Sequence, residues 1–301
     1  MIMEEKQTMT NKELESELQS LRTQERISNI LLSACGVGLL IMCLVKNIPL
    51  AVLCIVGAFF CAIRSNDAGG KVKKMLSENI TRSVIREVLG DDVEYNPWGK
   101  IEPGSMVFPF SYNTTSGSDH IMANYNGLEI ELGDIELQDE GETTDEETGV
   151  TTTSRHTWFK GQWLICDFGK KLSGQVYISQ RTRKDAVPMK SNVKMDNEQF
   201  NKRFCIRADD PQEAYYILTP HMMEYILTIA DNSGGTLYMS FLREGKLHVA
   251  VQTGRDFFEL GKEKVKTEKL CEKFKSELRW FTDIVDTLRV EDSLYKKELN
   301  E

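Results

Sequence analysis

Two uninterrupted apolar runs dominate the pattern of the chain. Residues 27–45 read ISNILLSACGVGLLIMCLV and residues 48–63 read IPLAVLCIVGAFFCAI, neither with a charged side chain. An uncharged run of about 20 residues, wound as a helix, covers the ~30 Å hydrocarbon layer of a bilayer. The first run therefore reads as one crossing. The second, somewhat shorter, reads as the return, with Pro49 where a helix can begin. Only Lys46-Asn47 separates them, so the pair predicts a transmembrane hairpin over residues 27–64. A cleavable signal peptide is the rival reading of the first run. It is disfavoured by the long acidic-rich leader and the lack of a small-x-small cleavage site.

Outside these runs the spacing becomes that of a water-soluble protein. Thr10 and Glu13 form a capping-box pattern, and Leu14, Leu18 and Leu21 then share one helical face, predicting an amphipathic helix within residues 1–26. Asp67-Ala68-Gly69-Gly70 reads as a linker. Met75, Leu76, Ile80, Val84, Ile85, Val88 and Leu89 then predict a helix over 72–89 that stops at Gly90. Between 105 and 137 the period changes to alternation, with Asn126-Gly127 as a hairpin turn. Residues 138–154 carry Asp139, Glu140, Glu142, Asp145, Glu146 and Glu147 followed by a threonine run, and predict a mobile acidic loop. Strand patterns resume at 157–159, 163–168 and 174–179. Asp210-Pro211-Gln212-Glu213 opens a helix to Leu218, and Pro220 restarts one that presents Met222, Met223, Ile226, Leu227 and Ala230. A second hairpin is expected from 236–241 and 246–251. A long helix over 263–288 places Leu270, Phe274, Leu278, Phe281, Val285 and Leu288 on one seam. The predicted fold class is α+β: a transmembrane helical hairpin, then a soluble domain over 65–301 of antiparallel sheet with packed helices.

Charge sets the orientation. Arg22, Arg26, Arg64, Lys71, Lys73 and Lys74 flank the hairpin against Lys46 alone in its turn, so the positive-inside rule places both termini in the cytoplasm, in a multi-pass protein of the cell membrane. The net charge of −9 argues against nucleic acid as a partner. Four of the seven cysteines (Cys35, Cys43, Cys54, Cys61) lie in the apolar runs as small hydrophobes, and Cys166, Cys205 and Cys271 form no disulfide framework. No CxxC pair or ligand spacing among His120, His156, His221 and His248 suggests a metal, and no cofactor is expected.

Three candidate chemistries remain. Lys170, Lys171, Arg181, Arg183 and Lys184, with Lys160, Lys190 and Lys194, make a basic region in an acidic protein. A solvated face is the plain reading, and a surface turned toward an anionic leaflet is the functional one. Ser118-Asp119-His120 bring three useful side chains together in sequence, but neighbours on an extended strand point in alternating directions. Cys166 with His156 or His248 could be a nucleophile pair, although its apolar strand predicts a buried, inert thiol.

Phe159-Lys160-Gly161, Phe200-Asn201-Lys202-Arg203-Phe204, Ala208-Asp209-Asp210, Glu213-Ala214, Ile217-Leu218-Thr219-Pro220, Met223, Ser240-Phe241 and Gly245-Lys246-Leu247-His248-Val249-Ala250 together resemble a bacterial domain-of-unknown-function family of integral membrane proteins. The resemblance extends over nearly the whole chain and implies two N-terminal transmembrane helices plus a soluble domain. It also implies a gene context with LemA-like coiled-coil membrane proteins, hence a membrane-bound partner. The expected function is a membrane-anchored, non-enzymatic interaction or regulatory module. The alternatives are a peripheral sensor of anionic lipid, or an enzyme whose site is assembled by the fold. The small residues Ser33, Ala34, Gly36 and Gly38 make a homo-oligomer a secondary expectation.

Overall fold

The computed structural model describes residues 10–104, 112–144, 151–167, 171–182, 190–261 and 263–298, with side chains left out at residue 143 and from residue 288 onward. The chain forms two compact units. One takes the residues up to Val84 with Phe258–Phe274, and the other takes Ile85–Phe257 with the chain from Lys275 onward.

The first unit is built on two long helices. Helix α1 runs Asn11–Leu44 without a break, so the amphipathic leader and the first apolar run are one rod. The Thr10 side chain accepts the Glu13 N–H and the Glu13 carboxylate accepts the Thr10 N–H (2.9 Å), which closes the expected capping box. Lys46, with φ +54°, turns the chain, and Asn47 caps α2, Ile48–Leu76, with proline in its first turn. Helix α2 passes straight through Asp67-Ala68-Gly69-Gly70, so the expected linker is helix. The reason is packing: Ala68, Val72 and Leu76 are all buried, as are Leu14 and Leu18 of α1. Burial of that stripe outweighs the roughly 1 kcal/mol that each helical glycine costs. A π-turn, Ser77–Thr81, leads into α3, Arg82–Leu89, and Gly90 ends the run at φ +95°.

Where the two apolar runs lie side by side, small residues set the approach. A Cβ on Gly38 would sit 3.3 Å from Cys54 Sγ, and one on Gly57 would sit 3.4 Å from Cys35 Sγ. Ser65 Oγ donates to Asn29 Oδ1 at 2.8 Å. The remaining faces point away from the protein: Ile30 is 68 %, Leu40 68 % and Phe59 69 % exposed. Below the apolar runs, Glu15, Gln19 and Arg22 share one side of α1 and grip the segment that leads into helix α7, Thr267–Glu298. The Glu15 carboxylate accepts the Thr267 N–H (2.7 Å), Gln19 Oε1 accepts the Val265 N–H (3.4 Å), and Arg22 donates to the Glu263 carbonyl. Phe258 meets Phe274 edge-on at 5.1 Å in the same unit.

The second unit carries an eight-stranded antiparallel sheet. Its strands are β1 Val93–Asn96, β2 Thr114–Tyr125, β3 Leu128–Thr144, β4 Thr151–Asp167, β5 Val176–Gln180, β6 Phe204–Ala208, β7 Thr236–Phe241 and β8 Lys246–Gln252. Their order is β1-β2-β3-β4-β8-β7-β5-β6. One register row crosses all eight strands: Tyr95, Ile121, Leu132, Leu164, Val249, Met239, Ile178 and Ile206. From Ile121 to Ile206 every member is buried. The adjacent row, on the opposite face by strand alternation, is mixed: Glu94, Met122, Glu131, Ile165, His248, Ser240, Tyr177 and Arg207. Ile101 joins Ile135, Leu137, Phe159, Trp163, Tyr238 and Ala250 in a compact apolar cluster. Helices α4 Glu198–Arg203, α5 Pro211–Ile217 and α6 Pro220–Asn232, with the later part of α7, contribute Phe200, Ile217, Ile226, Leu278, Phe281 and Val285 to the core.

The Asn126-Gly127 hairpin is as the sequence predicts, with both residues at positive φ (52° and 82°). The acidic loop is not. Residues 138–144 pair with 151–157, from Gln138↔Thr157 to Thr144↔Thr151, so β3 and β4 extend as a two-stranded ribbon. Alternating threonines and charges satisfy a ribbon that is wet on both faces, and the composition that suggested disorder is also that of an exposed strand pair. Asp145, Glu146 and Glu147 lie outside the described residues.

Candidate functional site

A bulge in β2 assembles a buried polar cluster in the second unit. The register shifts between Ser118 and Ile121, and Asp119 takes φ +56°. This turns its carboxylate inward, to 2 % exposure. Asp119 Oδ1 accepts the Tyr95 hydroxyl (2.6 Å), and Oδ2 accepts the Ser118 hydroxyl (3.0 Å). Across the ladder sits Asp134, equally buried. Its Oδ1 accepts Gln162 Nε2 (3.0 Å) and its Oδ2 accepts the Phe257 N–H (2.8 Å), with Ser118 Oγ 3.5 Å away. Gln162 is oriented in turn by the Thr253 hydroxyl (2.8 Å). Burial, and next the Asp119 charge, push the Asp134 carboxyl well above the usual carboxylate range. Gly117 makes the close approach possible, since a Cβ there would lie 2.2 Å from the Asp134 carbonyl oxygen.

This knot joins strands β1, β2, β3 and β4 to the segment before α7. Its oxygens are taken up by protein donors, so it ties the sheet together. His120 takes no part: its Nε2 lies 2.8 Å from Glu131 Oε1, so the three adjacent residues form no triad. Sequence alternation anticipates that separation. Tyr95, Asp134 and Gln162 had no local signal, because a bulge and three strand pairings bring them together.

Cys166 is buried, and its thiol is pushed up to about 12 by burial first and the Asp167 charge second. His248 pairs with Ile165 in the ladder, which puts it on the face opposite the Cys166 side chain. Its Nδ1 accepts Trp163 Nε1 (3.2 Å), and burial followed by the Lys246 charge holds its imidazole down to about 4. His156 lies ten residues along β4 from Cys166, roughly 33 Å at ~3.3 Å per residue. The structure brings neither histidine to this thiol.

Of the basic side chains expected to face lipid, Lys171 is exposed. Arg181 is engaged: its Nε donates to the carbonyls of Asn201 (3.3 Å) and Phe204 (3.2 Å), where α4 ends. Lys170, Arg183 and Lys184 lie outside the described residues. Lys160 stands between Glu136 (3.8 Å) and Asp256 (3.3 Å). Among the described residues no group of three or more His, Cys, Asp or Glu side chains could hold a metal ion.

The hairpin is the feature of the molecule with the most unusual surface. Both helices hold a stretch long and apolar enough to cross a membrane, with 6 % and 0 % of those stretches buried. No curated protein matches this chain. A solved structure of the mycobacterial trehalose monomycolate transport factor A, TtfA, aligns over 68 % of this chain and 93 % of that one, at 8 % identity and a TM-score of 0.36. That is too distant to bear on fold or function. Residues 157–290, from β4 through most of α7, match the family described as protein of unknown function (DUF3137). The matched stretch contains every motif quoted above for the resemblance and does not include the hairpin, so the resemblance is narrower than the whole chain.

Proposed function

We propose that this protein is a membrane-anchored interaction module, held by the hairpin with both termini in the cytoplasm, and not an enzyme. The observation that carries this reading is the outward display of Ile30, Leu40, Leu44, Phe59 and Phe60, each at least 64 % exposed, on helices without a charged residue between 27 and 45 or between 48 and 63. Such faces are stable in hydrocarbon and not in water. Without an ionisable side chain in either stretch, the hairpin is suited to anchoring and not to conduction. The closed carboxyl knot and the inert Cys166 support a binding role over a catalytic one.

The partners proposed are the bilayer itself and a second membrane protein, for which a LemA-like protein is the candidate implied by the resemblance. Crosslinking in native membranes, followed by purification of the intact chain and mass spectrometry, tests this. A stoichiometric membrane partner is the expected outcome, with a second copy of the chain as the variant that favours a homo-oligomer. Recovery of the chain alone, in the soluble fraction after alkaline carbonate extraction, would defeat both the anchoring and the module.

A further inference from the structure

Where the two helices leave the apolar stretch, a shallow cavity of about 480 Å³ opens in the first unit, lined by Ser16, Gln19, Ser20, Thr23, Gln24 and Ile27 of α1 and Arg64 of α2. Its volume lies in the range of small-ligand sites. Its lining mixes three hydroxyls, two amides and one guanidinium with Ile27 and the apolar stems of the longer side chains. Ile27 opens the first uncharged run and Arg64 follows the last residue of the second, which sets this end of the cavity at the level of a leaflet's headgroups. The Arg64 guanidinium makes no ion pair among the described residues. The acids nearby do not line the cavity, and Asp67 is held by Lys71 at 2.7 Å.

We infer that this cavity seats the phosphate of an anionic glycerophospholipid. A phosphodiester accepts hydrogen bonds and carries one negative charge, so it matches a guanidinium flanked by hydroxyl and amide donors. Ile27 lies against the first methylenes of its acyl chains. Thr23 already gives its hydroxyl proton to the Gln19 carbonyl and Gln19 is engaged with the Val265 N–H, which leaves Ser20, Gln24 and Arg64 as the donors at the end of the cavity nearest Ile27. The inference rests on the membrane reading above but names its own residues, distinct from the basic region of the sheet.

The test uses the full-length chain in nanodiscs containing equal phosphatidylglycerol and phosphatidylcholine, with retained lipid read by native mass spectrometry. Wild type is expected to retain phosphatidylglycerol preferentially. Arg64→Gln should lower that preference about fivefold, the worth of one basic residue at a membrane surface, and Ser20→Ala with Gln24→Ala should lower it further. Lys171→Gln with Arg181→Gln should leave it unchanged. Equal retention of both lipids by wild type, or an unaltered preference in Arg64→Gln, would overturn the inference. So would displacement of the lipid by millimolar inorganic phosphate, which would assign the cavity to a soluble anion. Carbonate extraction of the same variants separates the two readings: protein that stays in the membrane without lipid preference loses only the headgroup seat, whereas protein that is extracted loses the anchor as well.

Discussion

The hairpin and the sheet use apolar side chains in opposite ways. In the sheet, a row of residues from Ile121 to Ile206 is sealed from solvent, while the neighbouring row carries Glu94, Glu131 and Arg207. Within the apolar runs of α1 and α2 the small residues Gly38, Gly57, Cys35 and Cys54 lie between the helices, and large ones such as Ile30, Leu40 and Phe59 face outward. The same amino acids thus serve two ends: they seal the core of the sheet, and they make α1 and α2 long and apolar enough to cross a membrane. Packing density should therefore govern the sealed row of the sheet, and hydrophobicity the outward faces of α1 and α2.

The sharpest way to break this contrast is to delete a large side chain in each region. Trp163→Ala should cost about 3–5 kcal/mol of unfolding free energy, because the indole is fully buried against Phe159 and its Nε1 bond to His248 is lost. Phe59→Ala should leave helix content and thermal midpoint unchanged in detergent. Denaturation followed by circular dichroism checks both. Equal losses would show that the hairpin is packed as a core.

Glycines give a comparison of the same kind with a smaller effect. A Cβ on Gly161 would lie 1.9 Å from the Val251 carbonyl oxygen, so Gly161→Ala should destabilise by about 1–3 kcal/mol. Gly69 is helical with nothing within 4 Å of that position, so Gly69→Ala should stabilise by about 0.5–1 kcal/mol. Opposite signs are the expected result. A destabilising Gly69→Ala would restore the linker that the sequence suggested.

The carboxyl knot predicts a pH dependence confined to the sheet. Asp134 binds its proton more tightly folded than unfolded, where its ordinary value is 3.8. Below that pH both states are protonated and the group has no effect. As pH rises above it, the unfolded chain ionises first and stability falls, until the folded carboxyl also ionises and the loss levels off. Asp134→Asn should flatten that slope in urea titrations read by tryptophan fluorescence. All four tryptophans, Trp98, Trp158, Trp163 and Trp280, belong to the sheet-bearing unit, so the signal reports that unit. The smallest effect belongs to the grip of α1. Glu15→Ala should speed hydrogen exchange at the Thr267 amide without moving the main unfolding transition.

Much of the architecture is legible from periodicity. The capping box at Thr10, the apolar runs, the Asn126-Gly127 turn, the proline-started helices at Pro211 and Pro220 and the seam of α7 are all local signals. The failures share one cause, which is that long-range packing decided the matter. Gly69-Gly70 stays helical because Ala68 and Val72 are buried, and residues 138–144 become strand because 151–157 lie opposite them. Short β1, β6 and α4 carried too few periods to register. For the same reason the cluster around Asp119 and Asp134 was half visible, as Ser118-Asp119-His120, and its other members were not. The cavity under the hairpin was invisible, since Arg64 and Thr23 meet only once two helices lie antiparallel.

Helix α1 is one rod of 34 residues, about 51 Å at ~1.5 Å per residue. Its lower third holds Glu15, Gln19 and Arg22, which take hold of the segment leading into α7. A rod with no hinge acts as a lever. Tilting the apolar part of α1 by 10° swings Asn11 by about 4 Å for the ~24 Å below Arg26, and the segment clasped by Glu15, Gln19 and Arg22 is drawn the same way.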